Sequence, residues 1–171
     1  MPLKAVRILG YAGLLPFIGL ALVTQLGSTP NNFLAAESLA GYGAVIVAFL
    51  GAIHWGASLR SINATPSTAT RWSERNAWVW GVIPALTAWL ALHLYIPVAL
   101  LILAALLLIQ LVIDKTTYPH YFSNEVACRV FLQMRTHLTF VAMACLAWSA
   151  NVILLNWTVW ASFLIRSRRH H

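Results

Sequence analysis

The sequence predicts an all-α integral membrane bundle of five transmembrane helices, with an interfacial amphipathic helix before the last span, in one membrane domain over residues 1–171. Three observations predict it. Hydrophobic residues make up 60% of the chain and charged residues only 9%, whereas a soluble domain carries about 25% charged residues. Five apolar stretches are separated by short charged, polar or Pro/Gly-bearing connectors. The strict alternation of a β-barrel is missing, so a helical bundle is the spanning arrangement that satisfies every backbone group in lipid.

Crossing a hydrocarbon core of roughly 30 Å takes about 20 mostly apolar helical residues. The stretches that meet this requirement are Ile8–Leu26, Leu39–Leu59, Ala77–Leu94, Pro97–Ile113 and Leu138–Leu155. Between the first two, Ser28–Asn32 with Pro30 reads as a short outer loop; after the second, Asn63–Thr70 reads as a polar inner loop. The third and fourth stretches run together, and one helix from Ala77 to Ile113 would measure about 55 Å. The chain must therefore fold back, with the turn expected at Tyr95-Ile96-Pro97, because proline suits the first turn of a helix and tyrosine a membrane interface.

The connector from Asp114 to Thr136 has its own pattern. Val126, Val130, Met134 and Leu138 recur every fourth residue, Arg129 and Gln133 share a more polar side, and Ser123 or Asn124 supplies a cap. That pattern predicts a helix lying on the inner leaflet and leading into span five, with a partner-docking helix as the alternative. The apolar run from Leu138 to Ile165 is too long for one perpendicular crossing, so it either tilts or bends near Asn156 to lay Trp157–Trp160 in the interface.

Basic residues set the orientation. With the N-terminus inside, Lys4, Arg7, Arg60, Arg71, Arg75, Lys115, Arg129 and Arg135 are cytoplasmic and only Arg166, Arg168 and Arg169 lie outside. The net charge of +7 is accordingly a topology signal and an attraction to anionic headgroups, and no nucleic-acid partner is expected. The first apolar run lacks an A-x-A-like exit and is expected to stay as an anchor. Of the two cysteines, Cys128 falls in the connector and Cys145 in the last span, so neither a disulfide nor a thiolate metal site is expected.

Span two carries a packing pattern, with Ala40, Ala44, Ala48, Ala52 and Gly56 at four-residue intervals, which predicts the central seam. It also carries His54, the one ionisable residue well inside a span, about 9 Å along the helix from Arg60. A buried imidazole must be hydrogen-bonded, so it should face the bundle and be satisfied by a neighbouring helix or by Ser58, or else handle a ligand or proton. Asp114 opposes the dipole of its own helix and needs either good hydration or a cationic partner, for which Arg135, Arg71 and Arg75 are available. Tyr11, His54, Trp55, Trp80, Gln110, Asp114 and Arg135 all map to the cytoplasmic half and predict an inward-opening ligand pocket, with no metal set and no cofactor expected among them.

Five blocks carry a resemblance: Leu9-Gly10-Tyr11-Ala12-Gly13-Leu14-Leu15-Pro16-Phe17, Gly51-Ala52-Ile53-His54-Trp55-Gly56, Trp80-Gly81-Val82-Ile83-Pro84-Ala85-Leu86, Gln110-Leu111-Val112-Ile113-Asp114 and Arg135-Thr136-His137-Leu138-Thr139. In order, and across essentially the whole chain, they resemble the small multi-pass inner-membrane family of unknown function that includes transmembrane protein 69. The resemblance implies a bacterial or mitochondrial inner membrane, and the bacterial one is expected here. It implies no activity.

Enzymatic signatures such as H-E-x-x-H and G-x-S-x-G are missing, and Asp114 has no second intramembrane carboxylate to work with. The expected role is therefore a non-enzymatic accessory or assembly factor holding a membrane-protein partner in the bilayer. The alternative is a binding protein for an amphipathic small molecule, a tetrapyrrole, quinone or lipid, in which Trp55 and Trp80 are the walls and His54 the polar contact. If haem were held by two histidines, His137 is the expected partner of His54.

Overall fold

The computed structural model describes residues 2–61, 70–121 and 125–167. Every regular element among them is helical: α1 (Pro2–Ala12), α2 (Leu14–Leu26), α3 (Asn31–Ser61), α4 (Thr70–Ala91), α5 (Ile96–Tyr121) and α6 (Glu125–Ser167). Among the described residues, four helical segments are long and apolar enough to cross a membrane: Lys4–Leu26, Asn31–Gly56, Ile96–Pro119 and Glu125–Asn156. The apolar part of α4, Trp78–Ala91, is shorter. Their length and composition are those of a membrane protein, and large apolar side chains such as Ile8, Val45, Phe49, Leu101, Ile109 and Phe140 face outward.

The first span keeps a helical backbone through Gly13, but its hydrogen-bond ladder is interrupted at Ala12. Pro16 has no N–H, and a proline ring crowds the carbonyl of the residue four positions earlier, here Ala12, where α1 ends. Gly13 bridges the break, its N–H reaching back to Leu9 O at 3.1 Å and Gly10 O at 3.2 Å. The Tyr42 hydroxyl then donates to Gly13 O at 2.9 Å, and its ring meets Phe17 edge-on at 5.0 Å. The break is thus tied to the middle of the bundle.

α3 is the central helix, packed against α2, α4, α5 and α6. The seam differs from the expected four-residue stripe: Ala40 and Ala44 are buried, but Ala48 is only partly so, and Ala52 and Gly56 are exposed. A four-residue step overshoots a helical turn by about 40°, so such a stripe winds away from any straight neighbour. The buried line instead mixes steps of three and four, through Ala36, Ala40, Gly43, Val47, Gly51 and His54. Gly43 admits Leu103 and Leu146, whose methyl groups would lie 3.4 and 3.5 Å from an added Cβ. The core around this line includes Leu39, Leu100, Leu107, Ala142 and Ile153.

α4 and α5 form the expected hairpin, its turn at Leu92–Tyr95 just before the expected position. Tyr95 O accepts from Ala99 N–H at 3.0 Å, and Pro97 falls in the first turn of α5, where its missing N–H has no intrahelical acceptor to satisfy.

The amphipathic segment is a correction. It is no separate surface helix: α6 runs unbroken from Glu125 to Ser167, roughly 64 Å at 1.5 Å per residue. Nor does the helix break at Asn156. Arg129 and Gln133 are exposed as the pattern required, and so is Val126, but Met134 is buried. Met134 and Leu138 pack over Gly10 of α1, where an added Cβ would lie 3.1 and 3.4 Å from their side chains. The recurrence that resembled a membrane-surface face is in part a helix-packing face. The polar loop from Asn63, the caps at Ser123 and Asn124, and the side chains of Arg71, Arg75 and the tail lie outside the described residues.

Candidate functional site: a buried ionic cluster

α3 and α5 run parallel and α6 antiparallel to both, so residues near the ends of the first two meet residues near the start of the third. His54 sits seven residues before Ser61, Asp114 seven before Tyr121, and Arg135 ten after Glu125. The three side chains meet there. His54 Nε2 lies 3.1 Å from Asp114 Oδ1, and Arg135 Nε donates to Asp114 Oδ2 at 2.9 Å. A carboxylate oxygen only accepts, which places a hydrogen on Nε2 of His54. The three residues are 1%, 1% and 4% exposed, so each oxygen of the carboxylate is matched by a donor from a different helix. Asp114 thereby clamps α3 and α6 to α5.

The layers on either side complete the arrangement. One turn beyond Asp114, Tyr118 is buried and stacks on His54 at 5.6 Å between ring centroids, and Phe131 of α6 lies 5.5 Å from Tyr118. One turn before it, Gln110 Nε2 donates to Val47 O of α3 at 2.9 Å. That carbonyl belongs to the turn closed by Gly51, and the missing side chain at 51 lets α4 approach: an added Cβ would lie 3.0 Å from Gly81 O. In the same layer as Gln110, Thr139 follows Arg135 by one turn of α6. Gln110 Oε1, Arg135 Nη2 and Thr139 Oγ1 are buried with no hydrogen-bond partner among the described residues.

Of the seven site residues expected from sequence, His54, Asp114 and Arg135 form the cluster and Gln110 borders it. Asp114 finds the cation it needs in Arg135, and His54 is satisfied by a neighbouring helix. Trp55 turns away, 40% exposed, and donates its Nε1–H to Trp78 O of α4 at 2.8 Å. Tyr11 is also 40% exposed, and its hydroxyl lies 3.4 Å from His137 Nδ1. Trp80 is half-buried, and its Nε1 makes no hydrogen bond among the described residues. His137 is exposed, two residues and about 200° around α6 from Arg135, so it does not share a ligand with His54. Tyr118 was missed because the apolar window ends at Ile113, although it stands four residues after Asp114 on the same helical face.

Two cavities lie at the other end of the bundle. One, of about 500 Å³, is lined by residues including Gln25, Ser28, Asn32 and Asn156; the other, of about 400 Å³, is lined by Glu37, Ala40, Gly41 and the α4–α5 turn. Neither contains a member of the cluster. Cys128 and Cys145 are free thiols on the same helix, roughly 25 Å apart along it.

Replacing His54 by Leu removes a donor to a charged acceptor and is expected to cost about 1.5–3 kcal/mol. Thermal unfolding in detergent checks this; an unchanged midpoint would release the ring from its role as a tie.

The fold and the cluster define a helical membrane protein held together by an ion pair and a histidine inside the bundle. The chain belongs to the family described as "Protein of unknown function (DUF3429)", whose model matches residues 2–151 and so covers the whole cluster. No curated protein and no solved structure gives a match.

Proposed function

We propose that this chain is a non-enzymatic, multi-pass accessory or assembly factor that binds a membrane-protein partner within the bilayer. The observation that carries the reading is the buried contact of Asp114 with both His54 and Arg135. Charged groups that tie three helices together are engaged in holding a shape, and a shape presented by apolar helix faces is what an assembly factor offers a partner. The α1–α2 pair is the outermost such face, with Ile8, Leu9, Leu15, Ile18 and Leu22 exposed.

The same proposal includes α4 as a fifth span. Its 22 residues amount to about 33 Å, it packs along α3, and its turn returns the chain to α5 at the far end. With five spans the termini lie on opposite sides. The exposed cations Lys4, Arg7, Lys115 and Arg129 all gather at one end of the bundle, which supports a cytoplasmic N-terminus and a periplasmic C-terminus in a bacterial inner membrane. The kinship with transmembrane protein 69 belongs to the proposal as well and rests on the five sequence blocks.

The test is purification from the native membrane in a mild detergent, with mass spectrometry of the proteins and small molecules retained. A reproducible, stoichiometric membrane-protein partner is the expected result; free protein alone contradicts it. A second reading, binding of an amphipathic small molecule, is favoured by the partnerless Gln110 Oε1, Arg135 Nη2 and Thr139 Oγ1 in one layer, and a retained tetrapyrrole or quinone in the same experiment would select it.

A further inference from the structure

Glu37 is an acidic residue that the ionic cluster does not use. It sits in α3 six residues after Asn31, about 9 Å along the helix from its start, and its side chain is exposed. No hydrogen bond or ion pair reaches it among the described residues. Of the cations whose side chains are described, Lys4, Arg7, Lys115 and Arg129 are exposed at the opposite end of the bundle. The other residues around the cavity that Glu37 lines are Ala40, Gly41, Leu92, Leu94, Ile96 and Ala99. Among the described residues, the one charged group lining this groove is therefore a carboxylate, and the other side chains on its walls are apolar.

The level of the groove identifies its surroundings. Leu92 and Leu94 belong to the turn that ends the α4–α5 hairpin, and Trp89 and Tyr95 beside it are exposed, the placement that aromatic residues take at a membrane interface. In a bilayer crossed by these helices that is the level of the phospholipid headgroups, with acyl chains beginning just below it. A carboxylate there, with apolar walls next to it, matches an amphipath that has a hydrogen-bonding cation at its head and hydrocarbon below.

We propose that this groove binds a phospholipid with a primary-ammonium headgroup, the ammonium hydrogen-bonded to Glu37 and an acyl chain lying against Ala40, Ile96 and Ala99. A choline headgroup has no N–H to donate and is the natural discriminator. The site is independent of the accessory role, since it involves neither the ionic cluster nor the α1–α2 face.

The test is native mass spectrometry of the full chain in detergent, titrated with dioleoyl-phosphatidylethanolamine or dioleoyl-phosphatidylcholine. The ethanolamine lipid is expected to be retained roughly three- to fivefold better, the scale of a partly exposed ion pair. Glu37→Gln should abolish the preference. Gly41→Phe should reduce retention of the ethanolamine lipid by filling the groove, and since an added Cβ at 41 meets nothing within 4 Å, an unfolding midpoint no lower than that of the unaltered chain checks that the fold is kept. Equal retention of the two lipids by the unaltered chain overturns the proposal. So does a preference that survives both substitutions, or a second protein chain, this one or another, that occupies the groove and is released by Glu37→Gln.

Discussion

Replacing Asp114 by Ala is expected to destabilise the bundle by about 3–5 kcal/mol, the cost of leaving a buried charge without its partner. The guanidinium of Arg135 is 4% exposed and would lose its acceptor, and His54 would lose the group its Nε2–H serves. Because three helices meet at that carboxylate, the loss should appear as reduced folded yield and a lowered unfolding midpoint in detergent. Arg135→Ala should cost a comparable amount, since the carboxylate then keeps only one donor. A variant of either kind with unaltered stability would mean that the ion pair contributes nothing to the fold.

Enlarging Gly51 is the second large effect. A Cβ there would lie 3.0 Å from the Gly81 carbonyl oxygen, and backbone cannot yield as a side chain does. Gly51→Val is expected to cost at least about 1–3 kcal/mol by forcing α3 and α4 apart. On the other side of the same contact, a Cβ at Gly81 would run into the Trp55 indole, so Gly81→Ala should also break the Trp55–Trp78 hydrogen bond and alter tryptophan fluorescence. Gly41→Ala is the control: nothing stands near an added Cβ, and replacing a mid-helix glycine gains up to about 1 kcal/mol. Equal unfolding midpoints for Gly51→Val and Gly41→Ala would show that the helices are not in close contact at position 51.

The contrast between expectation and structure follows from what a hydropathy pattern measures. It measures depth, so the positions of the apolar helices, the inward-facing His54 and the pairing of Asp114 with a cation from a neighbouring segment were legible. It does not measure rotation about the helix axis. Trp55 is one residue from His54 and about 100° away from it, and His137 is about 200° from Arg135, so residues at equal depth need not share a site. Hydropathy also stops where polar residues begin, although helices do not. α5 continues past Ile113 to Tyr121, which carries Tyr118 onto His54, and α6 begins at Glu125 well before the apolar run at Leu138. The break at Gly13 was legible in principle from Pro16, because the missing N–H alone interrupts the ladder one turn earlier.

The claim on which the account rests is that Asp114 and Arg135 stabilise the bundle through each other. A double-mutant cycle measures this directly, with Asp114→Leu, Arg135→Met and the combined variant compared with the unaltered chain by reversible unfolding. The predicted coupling is at least about 1.5 kcal/mol, with the combined variant more stable than either single one because no unpaired charge remains buried. Additive losses, with a coupling near zero, would contradict the clamp.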